Sequence, residues 1–145
     1  MWDKLKNLAS NVLSEGEKVL TRAIDKNNFK RIIFAGYLIA QADGDFDSDE
    51  KSALAKIVKK ELPQFDIQDI IDVINKCDEK VSFDKRLGVS ELLDFIGGAD
   101  KENAELIMRI CCFIGEADGK FDADEKLVAR DIAIRLNVTP SRYGL

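Results

Sequence analysis

Ten residues of this chain occur twice. Ala42-Asp43-Gly44-Asp45-Phe46-Asp47-Ser48-Asp49-Glu50-Lys51 returns 75 residues later as Ala117-Asp118-Gly119-Lys120-Phe121-Asp122-Ala123-Asp124-Glu125-Lys126, and eight of the ten positions are identical. A repeat at so long a period marks a duplicated supersecondary unit. In both copies a nearly all-apolar stretch, residues 32–40 and 107–114, enters the motif. In both an amphipathic stretch leaves it. Each copy therefore reads as helix, acidic loop, helix, with the two apolar helices buried at the centre.

The rest of the chain is helical in period, and no run alternates as a strand does. Residues 3–14 set Leu5, Leu8, Val12 and Leu13 on one stripe, and a second short helix ends near Asp25. Residues 48–61 place Leu54, Ile57 and Val58 on one face, ahead of Pro63. Residues 67–77 use Ile67, Ile70, Ile71 and Ile74. Ser82 is positioned to cap a helix carrying Leu87, Leu92, Leu93 and Ile96, which Gly97 and Gly98 stop. Asp100 caps the next helix, another runs from about Asp122 to Leu136, and Thr139-Pro140 opens a last short turn. The expectation is an all-α single domain of about seven to eight helices. Its parts are an N-terminal arm (1–27), repeat one (28–62), connecting helices (63–99), repeat two (100–137) and a C-terminal turn (138–145).

Composition narrows the function. The 145 residues suit one core, and the net charge of −5 disfavours a nucleic-acid binder. Residues 1–31 nevertheless hold seven Lys or Arg against four Asp or Glu, a weakly basic start on an acidic body. No stretch is apolar for long enough to span a membrane, and the opening residues lack a signal-peptide core. Three cysteines, two of them adjacent, make a poor disulfide framework and fit a reducing, cytoplasmic setting. Histidine is absent, which excludes imidazole acid–base chemistry and His-ligated zinc.

The doubled Ala-Asp-Gly-x-Phe-Asp-x-Asp-Glu-Lys motif behind a buried helix resembles the TerB family of tellurite-resistance proteins. The Ser82-Phe83-Asp84 segment and the closing Tyr143-Gly144-Leu145 support the likeness, which covers essentially the whole chain. The resemblance implies an all-helical fold, an acidic cluster holding a divalent metal, and work in a tellurium- and stress-response system. It implies partners there: a TerC-like integral membrane protein and calcium-binding TerD-like proteins. Peripheral association with the inner face of the membrane follows from the same likeness.

Two readings of the acidic loops stand side by side. In one, Asp47-x-x-Glu50 and Asp122-x-x-Glu125 are capping boxes, Gly44 and Gly119 are left-handed helix ends, and Phe46 and Phe121 plug the core. That reading leaves Asp43 and Asp118 over. Each is placed in the last turn of its incoming helix, where the dipole opposes a carboxylate by about 0.3–1 kcal/mol. In the other reading, Asp43, Asp47, Glu50, Asp118, Asp122 and Glu125 face a divalent cation, calcium first, with Asp45, Asp49 and Asp124 behind them. No organic cofactor is implied. The loops are not EF-hands: counting from Asp43, the glycine position is Ser48 and the closing glutamate position is Leu54. Lys120 replaces Asp45 in the second copy, so the two loops need not bind a cation equally.

The function expected is thus a non-enzymatic, metal-binding interaction module. The alternatives are a carboxylate-metal hydrolase and a thiol-based tellurite-handling enzyme using Cys111 and Cys112. On their apolar helix those cysteines read first as core residues. Trp2 and the stripe behind it, interleaved with Lys4 and Lys6, read first as an arm docked on its own domain, then as a partner-binding helix, and last as an interfacial helix.

Overall fold

The computed structural model describes residues 24–44, 46–116 and 121–145. These form six α-helices and a closing 3₁₀ turn, with no strand among the described residues. The helices are α1 (Lys26–Ala40), α2 (Ser48–Glu61), α3 (Ile67–Phe83), α4 (Lys85–Ile96), α5 (Lys101–Glu116) and α6 (Ala123–Arg135); the turn is Pro140–Tyr143. The two helices expected within residues 3–25 fall almost entirely outside the described residues.

Helix α1 is the axis of the domain. Asp25 caps it, its Oδ1 accepting the Asn28 N–H at 2.7 Å, so the helix starts two residues before the pattern thickens at Asn28. From Asn28 onward nearly every side chain is buried, and α1 packs most extensively on α5, the other apolar helix of the duplication. Gly36 is tucked between Leu54 and Ile114, where a Cβ would lie 3.3 and 3.4 Å from their side chains. The two apolar helices thus share one core with α4 and α6.

The connecting helices wrap this axis. Lys59 tightens the turn after α2 by donating to the carbonyls of Pro63 at 2.9 Å and Phe65 at 2.6 Å, and Phe65 stacks on Phe29 of α1. Helix α3 runs six residues beyond the expected Cys77 and takes in Ser82. The cap of α4 is accordingly Asp84, not Ser82: its carboxylate accepts the Leu87 N–H at 3.1 Å. The same Asp84 ends α3, since its N–H donates to the Lys80 carbonyl at 3.1 Å. Gly88 makes this sharp elbow feasible, because a Cβ there would sit 2.7 Å from the Lys80 carbonyl oxygen. At the far end of α4, Arg31 donates to the Phe95 carbonyl and lies over the Phe95 ring.

Asp100 caps α5 as expected, accepting the Asn103 N–H at 2.9 Å. Helix α6 ends in a Schellman turn: Asn137 takes a left-handed φ of 58°, and the Val138 N–H reaches the Ala133 carbonyl at 3.0 Å. Thr139 precedes Pro140 but makes no side-chain cap. Among the described residues no helix is long and apolar enough to cross a membrane.

Candidate functional site: the two acidic loops

Both capping boxes are present. Asp47 Oδ1 accepts the Glu50 N–H at 2.9 Å while Glu50 Oε1 accepts the Asp47 N–H at 3.4 Å. In the second copy Asp122 Oδ1 accepts from Glu125 at 2.8 Å, and Glu125 Oε1 accepts from Asp122 at 3.3 Å. Each box satisfies donors that the first turn of its helix leaves without an intrahelical partner. Asp49 and Asp124 are exposed in the first turns that follow, where the helix dipole favours a carboxylate.

Asp43 lies elsewhere than expected. Helix α1 stops at Ala40, and the buried Gln41 closes its end, its N–H donating back to Tyr37 and its Nε2 to Leu38. Asp43 is thus exposed in the turn beyond the helix, not in its last turn. Gly44 ends that turn with φ +89°, a conformation L side chains rarely adopt, and donates to the Gln41 carbonyl at 2.8 Å. Asp45, Asp118, Gly119 and Lys120 lie outside the described residues.

The first loop is fastened by a network that spacing alone does not reveal. Phe46 meets the Tyr37 ring edge-on, with centroids 5.0 Å apart. The Tyr37 hydroxyl donates to Asp78 Oδ1 at 3.0 Å, and Lys51 holds the other oxygen of Asp78 at 2.8 Å. Burial first, and then the bond to Asp78, hold the Tyr37 phenol well above its ordinary pKa, so it remains a donor. Loop one is thereby tied to α3. Tyr37 and Asp78 escaped the sequence reading because their pairing spans 41 residues. The signal available was a single tyrosine in the nearly all-apolar run 32–40, whose hydroxyl must find a partner once buried.

As a metal centre, the described residues are incomplete. Among them no three acidic or cysteine side chains come together as a cation would need. In each box the capping bond takes up Oδ1 of the aspartate, and a carboxylate has a second oxygen to offer. A fuller oxygen set would have to draw on Asp45 and Asp118.

The cysteines sit in surroundings opposite to those of a reactive thiolate. Cys111 is fully buried, which drives its pKa far up. Burial pushes half-buried Cys112 up to about 11, with Glu116 adding to the effect, and Cys77 up to about 12. None supplies a thiolate near neutral pH.

No curated protein and no solved structure matches the chain. The family model described as tellurite resistance protein TerB matches residues 10–144. With that match over nearly its whole length, and with the all-helical fold the likeness implied, the chain belongs to the TerB family of tellurite-resistance modules.

Proposed function

We propose that the chain acts without catalysis, as a divalent-cation-binding interaction module of a tellurite and stress-resistance system. In this reading Asp43, Asp47 and Glu50 of the first loop, and Asp118, Asp122 and Glu125 of the second, supply oxygen ligands, with calcium as the first cation to try. The cation stiffens the loops and so presents a surface to protein partners at or near the membrane, of the TerC-like and TerD-like kinds. The observation that carries the reading is the doubled loop itself. Two copies of a carboxylate-rich motif end at capping boxes of the same geometry, and capping accounts for Asp47, Glu50, Asp122 and Glu125 but not for an aspartate before each glycine. The cysteine environments support the absence of thiol chemistry.

The test separates ligands from caps. Calcium, magnesium and manganese are titrated while melting temperature and backbone amide shifts are followed. A binding loop raises the melting temperature as free cation passes the dissociation constant. Asp43→Asn with Asp118→Asn should abolish that rise and leave both capping boxes intact. If millimolar levels of all three cations move neither the melting temperature nor a loop resonance, the loops are caps alone and the proposal fails.

A further inference from the structure

We propose that the elbow between α3 and α4 is a docking tip for an anionic lipid surface, with Phe83 and Leu87 entering the interfacial layer and Lys85 and Arg86 meeting headgroup phosphates. The proposal does not depend on the acidic loops.

Six consecutive residues, 82–87, are exposed at this elbow. Phe83 is 93% exposed and Leu87 56%, although one is aromatic and the other lies four residues further on, in the first turn of α4. At this exposure the Phe83 ring contributes little to the core, and with Leu87 it leaves two large apolar side chains exposed at one elbow. Nor is it a floppy excursion. Asp84 ends one helix and caps the next, the Gly88 N–H donates to the Asp84 carbonyl at 2.8 Å, and Gly88 lies against the Lys80 carbonyl. The backbone on both sides of Phe83 is therefore fixed, and the ring is presented in advance of any contact.

Charge indicates what the tip meets. The chain carries −5, yet Lys85 and Arg86 flank the two apolar side chains and form no ion pair among the described residues. Lys76 and Lys80 share the α3 face that ends in Phe83, Lys80 being paired to Glu91 at 2.9 Å. The acids on the neighbouring turns are Asp78, Glu79, Asp84 and Glu91; Asp78 is paired to Lys51 and Glu91 to Lys80, which leaves Glu79 and Asp84 against Lys76, Lys85 and Arg86. On an acidic body, a basic, apolar-tipped corner is the part that an anionic surface attracts.

Shape selects lipid over protein. A specific protein interface buries on the order of 800 Å² on each partner with close complementarity, and two exposed apolar side chains at a helix–helix elbow do not supply that. A bilayer interface needs no complementary surface, accepts a small apolar wedge, and lets lysine and arginine reach back to the phosphates.

The test uses the full chain, with chelator present so that no cation bridges the acidic loops to lipid. Co-sedimentation is measured with vesicles of phosphatidylcholine alone and with phosphatidylcholine containing phosphatidylglycerol. Binding is expected to the anionic vesicles only, weakening as salt is added. Phe83→Ser with Leu87→Ser should lower it at least tenfold with an unchanged melting temperature, and Lys85→Glu with Arg86→Glu should do the same. Wild-type protein that ignores anionic vesicles would overturn the proposal. So would a serine variant that binds as well as wild type, which would assign binding to another segment. A tip variant that loses a defined protein partner, when wild type shows no lipid binding, would make the elbow a protein contact instead.

Discussion

The two copies of the acidic motif are held in place by different means. In the first, Phe46 leans on Tyr37, and through Asp78 and Lys51 the loop is tied to α3. In the second, the position 75 residues after Tyr37 is Cys112, and Phe121 lies directly over Gly115, where a Cβ would come within 2.6 Å of the ring. The glutamates differ as well: Glu50 is buried at 9% exposure, while Glu125 is only half-buried. The outgoing helices follow suit. Helix α2 buries Leu54, Ile57 and Val58, whereas α6 buries Ala129, Ile132 and Ala133 and leaves Leu127 and Ile134 exposed. A duplicated motif therefore fixes a local geometry, the capping box, while its attachment to the body is free to diverge.

The strongest way to break this contrast is to truncate the side chains at the equivalent positions 37 and 112. Tyr37→Ala should cost about 3–5 kcal/mol, as expected for removing a large buried aromatic, while Cys112→Ala should cost about 1 kcal/mol or less. Chemical denaturation measures both, and equal losses would show that the two loops are anchored alike.

The caps should instead respond similarly. Asp47→Ala and Asp122→Ala should each destabilise by about 0.5–2 kcal/mol, with or without added cation. A cap loss seen only in the presence of cation would shift the weight from folding to ligation at that loop.

A milder change isolates the tether. Tyr37→Phe keeps the ring under Phe46 and removes one hydrogen bond, so a loss of about 1 kcal/mol is expected. Amide shifts should then move around loop one and Asp78 while loop two stays still. Shifts spread over both loops would deny that the tether is local.

The smallest effect is a slope with pH. The position 75 residues after Glu61 is Leu136, and both are buried, Glu61 at 6% exposure. Burial raises the Glu61 carboxyl above the ordinary glutamate value, against the pull of Arg109. The folded state then binds this proton more tightly than the unfolded state. Stability falls as pH rises from the ordinary value through the raised one, and returns on acidification through the same window. Glu61→Gln should flatten that slope. Parallel melting curves for wild type and variant across the window would remove Glu61 as its source.

Most helices were legible because their apolar residues recur at helical spacing and their caps are local. Asp47, Asp100 and Asp122 announce themselves within four residues. The elbow was not legible. The cap expected from sequence is Ser82, but α3 runs through that residue to Phe83 and Asp84 takes the role, with Gly88 close against the Lys80 carbonyl. Leu87, taken for a core position, is left outside at that same elbow. In the loops, the boxes were readable, but Asp43 was drawn into the helix because the buried Gln41, which closes α1 early, gives no local sign of its role. The link from Tyr37 to Asp78 depends on two helices meeting, which no short spacing encodes.

The shared cap at Asp84 has a consequence for how the chain tolerates changes in length. One residue there ends one helix and begins the next, and Gly88 is in register with Lys80 only at this spacing. A single inserted residue would separate the two capping roles and carry the glycine off the carbonyl it must clear. The turn from Gln41 to Gly44 ends in an exposed glycine with nothing within 4 Å of its missing Cβ, so an extra residue there meets no such obstacle. Added length is therefore resisted by direct backbone contact at the elbow, which keeps its count.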